Sequence, residues 1–317
     1  MKECSRETCF APDTGCDLGH LDRSKCPAWT GHTVSESDNP SGAEDMLLPW
    51  SGSALGLVDL GFVAGRAKPL VVGIVGPQNA GKTTLLAAWY LLVGRGLVKN
   101  GKRRFAGSYS LMGWEAVAGA LRWTPGHPPN FPPHTSSRGG RAPGLLHIAF
   151  RQRDDRIKDY LLTDAPGEWF QKWAVNRDAV EGAGAKWVAE HADIFLLIAD
   201  REALCGPTRG SARGALQLLA QRLGAERRGR PVALVWTKAD IAVAEEMENA
   251  IREAVMGRIP DAVEFFISIM SGTDETSGTG LRLLELLDWT VDAQRGRPSL
   301  PEASASGTDP LFVFGAR

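Results

Sequence analysis

The chain has 317 residues, 36 Lys plus Arg against 37 Asp plus Glu, and a net charge of −1. That balance gives no support to a role dominated by phosphate-backbone binding, so nucleic acid is not indicated as a partner. With 43% hydrophobic and 23% charged residues the chain can bury a sizeable core and is not disordered throughout. Its longest apolar runs, such as 194–199, are too short to span a bilayer. The opening Met1-Lys2-Glu3-Cys4 is polar and has no leader-like apolar stretch, which points to the cytoplasm.

In chain order, the first feature is a cysteine cluster. Cys4, Cys9, Cys16 and Cys26 lie within 23 residues, with His20 among them. Thiolates suit zinc, and a short segment with little core gains folding energy from a metal. The simplest ligand set is the four cysteines, with His20 as the alternative fourth. The reading is a small structural zinc module over 1–28, used for docking; the bland alternative is a flexible tail with incidental thiols. Residues 29–67 follow as a Ser/Gly/acid-rich linker in which 47–67 alternates loosely enough for an extra edge strand or hairpin.

From residue 68 to 295 the pattern changes. Short apolar runs at 70–75, 145–150, 159–163, 194–199, 232–236 and 265–267 read as strands. Helical stretches fall at 82–95, 169–190, 211–224, 243–257 and 279–293, and residues 111–122 read as a helix packed on the sheet. Continuous apolar strands alternating with helices predict a three-layer α/β domain with a mostly parallel sheet. The Pro/Gly-rich segment 124–144 must be a loop, and 296–317 reads as a solvated tail.

The strongest motif is Gly76-Pro77-Gln78-Asn79-Ala80-Gly81-Lys82-Thr83, followed by Thr84. It fits G-x-x-x-x-G-K-[ST] between an apolar strand and a helix. Its glycines let backbone N–H groups face phosphate oxygens, Lys82 reaches the β- and γ-phosphates, and Thr83 can ligate Mg²⁺. Thr237-Lys238-Ala239-Asp240 ends the strand 232–236. The Asp240 carboxylate can accept from guanine N1–H and N2–H₂, a donor pair that adenine lacks, and the Lys238 stem can lie over the base. Asp164-Ala165-Pro166-Gly167 ends another strand. There Asp164 can hold Mg²⁺ through water, and the Gly167 N–H can meet a γ-phosphate and lose it on hydrolysis.

This order of motifs resembles the translation-factor-like class of P-loop GTPases, over roughly residues 68–293. The resemblance implies GTP/GDP and Mg²⁺ as cofactors and a conformational switch. It also places Ser268-Ile269-Met270 at the class's fifth motif, whose backbone contacts guanine, although the common form there is S-A-K. A first-switch threonine that ligates Mg²⁺ is expected before the strand 145–150; Thr135 has that place, with Thr124 and Ser136 as alternatives. The residue after D-x-x-G is Glu168, where Ras-like enzymes carry a water-orienting Gln. Glu168 either positions the attacking water or points away, leaving turnover slow until a partner completes the site. Arg138 and Arg141 are candidate arginine fingers in cis, with solvated loop charges as the blander reading. The proposed catalytic set is thus Lys82, Thr135, Gly167 and Glu168.

A narrower resemblance rests on the cysteine cluster, on Phe105-Ala106-Gly107-Ser108-Tyr109 before Trp114-Glu115, and on the phrase from Asp164 to Phe170. These look like the bacterial double-GTPase group. That resemblance implies protein partners, a second GTPase and an effector, in systems assigned to conflict such as antiphage defence. The competing function class is a nucleotide-gated binding or scaffold module with negligible turnover.

Overall fold

The computed structural model describes residues 18, 26–28, 54–98, 103–122, 130–132, 142–270 and 279–293. The helices and strands of the described residues lie in the unit Leu48–Arg317. Among the described residues they form a seven-stranded sheet in the order β2-β3-β4-β1-β5-β6-β7. The strands are β1 (Leu70–Val75), β2 (Arg103–Gly107), β3 (Gly144–Gln152), β4 (Ile157–Asp164), β5 (Ile194–Asp200), β6 (Val232–Thr237) and β7 (Val263–Phe266). The helices are α1 (Leu60–Val63), α2 (Lys82–Gly94), α3 (Leu111–Ala118), α4 (Gly167–Val175), α5 (Ala183–His191), α6 (Arg201–Cys205), α7 (Arg209–Glu226), α8 (Glu245–Met256) and α9 (Thr279–Asp292).

One face of the sheet buries Val71, Leu161, Phe195, Leu197, Leu234 and Trp236 beneath α4, α5, α7 and α8. The other buries Val72, Ile74, Leu162, Leu196, Ile198 and Val235 beneath α2, α3 and α9. Alternate residues of β1, β5 and β6 therefore serve opposite cores. This is why those strands are apolar at every position and were legible as continuous runs.

The sheet is mostly parallel, as expected, with an antiparallel edge that the sequence pattern did not show. Strands β4, β1, β5, β6 and β7 pair in parallel, whereas β2–β3 and β3–β4 are antiparallel. The four residues between β3 and β4 cannot make a crossover, so the pair closes as a hairpin. Asp155 takes the left-handed conformation at its turn, with φ of 60°. Strand β2 is an edge that the apolar pattern did not reveal: in Arg103–Gly107 only Arg103 is buried. Arg103 meets Asp288 at 2.7 Å and Asp292 at 2.5 Å on α9, so this charged residue is an interior anchor.

Three expectations are corrected. Residues 47–67 do not form a strand where described: Leu57–Asp59 is a 3₁₀ turn that runs into α1, opened by a Gly56 N–H to Asp59 Oδ2 bond of 2.8 Å. Only Leu55 makes a bridge, to Leu145 of β3, and Leu55 and Val63 are buried in the core. The helix expected over 169–190 is two helices. Asn176 leaves helical geometry, and its side chain accepts from the Asp178 N–H at 3.1 Å, a local bond that competes with helix continuation. The helix expected over 211–224 starts earlier and is preceded by α6; Gly206-Pro207 separates the two.

Beside this edge a polar chain runs from the exposed Arg66 to Asp159 and His147, which are buried. Arg66 grips Asp159 through Nη2 at 2.7 Å and Nε at 3.2 Å, and Asp159 Oδ1 lies 3.0 Å from His147 Nε2. The Tyr109 N–H donates to His147 Nδ1 at 3.0 Å, which puts the imidazole proton on Nε2 for Asp159. Burial pushes the His147 pKa down while Asp159 opposes the shift, so the ring is neutral at physiological pH. Trp114 Nε1 and Ser108 Oγ donate to the His147 carbonyl at 2.7 and 2.5 Å.

Candidate functional site

The carboxyl ends of β1, β4 and β6 open onto one cleft of about 470 Å³, the place where α/β sheets receive ligands. Its floor is residues 78–85 of the phosphate-loop motif. Asn79 and Gly81 hold positive φ values of 59° and 84°, the backbone alternation that turns successive N–H groups toward one point. Gly76 is required for another reason: a Cβ there would lie 2.8 Å from Ile198 Cβ on β5. Thr84 also lines the cleft, beside the first turn of α2.

Lys82 is buried, and its ammonium donates to the carbonyls of Gly76 at 3.1 Å and Pro77 at 2.7 Å. Burial pulls its pKa from 10.5 to about 8, while the charges of Asp164 and Glu168 push it back up. A bound phosphate would supply the missing counter-charge and restore the ordinary value. GDP binding at pH 8.5 is therefore expected to take up about three-quarters of a proton, and almost none at pH 7. Calorimetry in two buffers of different ionisation enthalpy measures this; equal proton exchange at both pH values would show that Lys82 is already fully charged before the phosphate arrives.

Asp164 ends β4 opposite the phosphate loop. Thr83 Oγ1 donates to Asp164 Oδ1 at 3.0 Å, so the two proposed Mg²⁺ ligands are already neighbours. Both offer hard oxygen donors, which suit that ion. Gly167 opens α4 with its backbone pressed on the phosphate loop: a Cβ there would lie 2.1 Å from the Gln78 nitrogen and 2.3 Å from the Pro77 carbonyl carbon. Glu168 follows on the first turn of α4 and is half-buried. Its charge acts on Lys82, which puts its carboxylate within electrostatic reach of the phosphate site.

The opposite wall carries the base-reading candidates. Thr237 is buried and its Oγ1 donates to the Ala80 carbonyl at 2.9 Å, tying β6 to the phosphate loop. Asp240 is exposed and lines the cleft, and Ser268 Oγ donates to its Oδ1. Ser268 also accepts from the Met270 N–H at 3.1 Å, which folds Ser268-Ile269-Met270 around the same wall. The Lys238 ammonium bonds Asn79 O, Asp200 Oδ2 and Glu202 Oε2.

Several cleft residues escaped the sequence reading. Phe131 and Pro132 face the cleft from within the expected loop, as do Glu202 from α6 and Leu283 from α9. Phe131 is 52% exposed, and an apolar residue isolated among prolines was its only sequence signal. Thr135, its alternatives Thr124 and Ser136, and Arg138 and Arg141 lie outside the described residues. So do Cys4, Cys9, Cys16 and His20, whereas Cys26 is described and buried. Among the described residues no group of three or more His, Cys, Asp or Glu side chains gathers as a metal site. No helix among them is long and apolar enough to cross a membrane.

The model of the Double-GTPase 2 family matches residues 70–290. No curated protein matches. Among solved structures, the chain is similar to Era in complex with MgGDPNP and a segment of 16S ribosomal RNA, with 18% identity and a TM-score of 0.36, over 73% of this chain and 59% of that one. It is also similar to the GTPase-like domain of Saccharomyces cerevisiae Ski7 bound to GDP and inorganic phosphate, with 12% identity and a TM-score of 0.37, over 73% and 52%. A Thermus thermophilus protein matches with 21% identity and a TM-score of 0.29, over 60% and 22%. The chain thus spans under two thirds of each of these solved chains.

Proposed function

The chain belongs to the Double-GTPase 2 family, and from that premise we propose that it binds GTP with Mg²⁺, hydrolyses it to GDP and phosphate, and switches conformation as it does so. One observation carries this reading: the phosphate loop, the Ala165–Gly167 turn and the Thr237–Asp240 motif line a single cleft. In it Lys82 and the loop N–H groups hold the phosphates, Asp240 selects guanine, and Thr83 with Asp164 holds the ion. Thr135 is the proposed third ion ligand. When bound, Mg²⁺ neutralises charge on the β- and γ-oxygens. The Gly167 N–H senses the γ-phosphate; on hydrolysis that contact disappears and the segment relaxes. Glu168 accepts a hydrogen bond from the attacking water.

Single-turnover hydrolysis with titrated Mg²⁺ tests this. Wild type is expected to release phosphate only with Mg²⁺; Lys82→Ala should lose GTP binding, and Glu168→Ala, which removes the acceptor, should slow release by about 10²-fold. Tight GTP binding without release would overturn autonomous hydrolysis. It would favour the second reading, a nucleotide-gated binding module, which the carboxylate at position 168 supports because it adds negative charge beside the γ-phosphate.

The resemblance to the double-GTPase group further supports a place beside a second GTPase and an effector in a bacterial defence system. The cysteine set of residues 4, 9, 16 and 26 supports a structural zinc ion. Metal analysis of protein purified without chelator checks that assignment, and sub-stoichiometric zinc counts against it.

A further inference from the structure

We propose that Asp200 and Glu202 form a carboxylate clamp on Lys238 that sets how long a guanine nucleotide stays bound. The proposal rests on the guanine-nucleotide reading above and adds positioning residues that none of the three motifs contains.

The geometry is specific. An ammonium has three donors, and Lys238 spends them on Glu202 Oε2 at 2.7 Å, Asp200 Oδ2 at 2.9 Å and Asn79 O at 3.3 Å. Asp200 is only 6% exposed and is fixed by its other oxygen, which accepts the Glu202 N–H at 3.0 Å and caps α6. Glu202 is exposed and lines the cleft beside Lys238. Lys238 itself sits at a φ of 55°, a left-handed conformation that a residue with a Cβ adopts only when its surroundings hold it there.

The clamp therefore joins the end of β5, the phosphate loop and the base-reading loop through one side chain. Its effect is preorganisation. A free lysine stem loses rotamer freedom when a base settles against it, whereas a stem already stretched between two carboxylates and a carbonyl has lost that freedom beforehand. Such a gain appears mainly in the dissociation rate. Asp200 and Glu202 thus act through Lys238, without a role in the hydrolytic step.

The test is dissociation of a fluorescent mant-GDP from full-length protein. Glu202→Gln is expected to speed release about three- to tenfold, and Asp200→Asn at least as much, since asparagine still caps α6. In a Lys238→Ala background, Glu202→Gln should have no further effect, because the clamp then has nothing to hold. Thermal melting of the nucleotide-free variants separates this from simple destabilisation. Unchanged release in both carboxylate variants, or an equal effect with and without Lys238, overturns the clamp alone. Failure of wild type to bind mant-GDP overturns the guanine-nucleotide reading as well.

Discussion

Asp240→Asn is expected to move base preference from guanine to xanthine. Guanine presents N1–H and N2–H₂, both donors, and a carboxylate accepts both. Asparagine keeps one acceptor and offers an amide N–H₂ that collides with the N2 donor. The bond to N2 becomes a donor–donor clash and the bond to N1 loses its charge, costing about 3–6 kcal/mol together, or on the order of 10²–10⁴-fold in affinity. Xanthine carries a carbonyl in place of the N2 amine, so the same amide then donates to it. Ser268 strengthens the expectation. Its hydroxyl donates to Asp240 Oδ1, and the asparagine oxygen can keep that bond, so the side chain stays aimed with its amide toward the base. Competition of GDP and XDP against mant-labelled nucleotides reads the outcome. GDP affinity unchanged by the substitution would take Asp240 out of base recognition.

The second large effect is expected at Gly167. The chain there has no Cβ and rests directly on backbone: the Gln78 nitrogen would lie 2.1 Å, and the Gln78 Cα 2.5 Å, from an added methyl group. Neither is the yielding end of a side chain, so Gly167→Ala must drive the start of α4 away from the phosphate loop. The rest of α4 cannot follow freely, because Trp169, Phe170 and Trp173 are buried beneath it. The first turn therefore lifts while the helix body stays. GDP, held by the phosphate loop and the Asp240 wall, should bind within about threefold of wild type. The contact expected from the Gly167 N–H to a γ-phosphate is lost, so preference for GTP over GDP should vanish and turnover fall about 100-fold or more, the scale of losing one preorganised donor. Overpacking alone costs about 1–3 kcal/mol, so the variant is expected to fold with a lowered Tm. A well-folded alanine variant with normal turnover would show that α4 has no part in sensing the γ-phosphate.

Much of this site was legible because each motif is local. Residues 76–83 encode a loop and a helix start within eight positions, and Thr237–Asp240 follows a strand whose two buried faces made it apolar throughout. Other parts depend on contacts distant in sequence. Arg103 is interior only because Asp288 and Asp292 on α9 meet it, so charge at an edge strand gave no clue to its burial. Glu202 reads as an ordinary surface helix residue until β5 and β6 bring it to Lys238. Leu55 with Leu57, and Leu60 with Phe62, looked like strand alternation, yet the three-residue step from Leu57 to Leu60 also fits a helical turn, and Asp59 closing back on Gly56 decides it.

His147 carries a consequence for how the sheet aligns. It sits in β3 opposite Leu161, on the same face as Asp159. Sliding β3 by one residue would turn its ring to the side occupied by Leu146, Ile148 and Phe150, away from Asp159. Asp159 would then lose one of its two partners and His147 its acceptor, at about 1–3 kcal/mol for each stranded buried group. Apolar residues on both faces would tolerate that slip far better. The polar chain thus acts as a notch that favours a single pairing of β3 with β4.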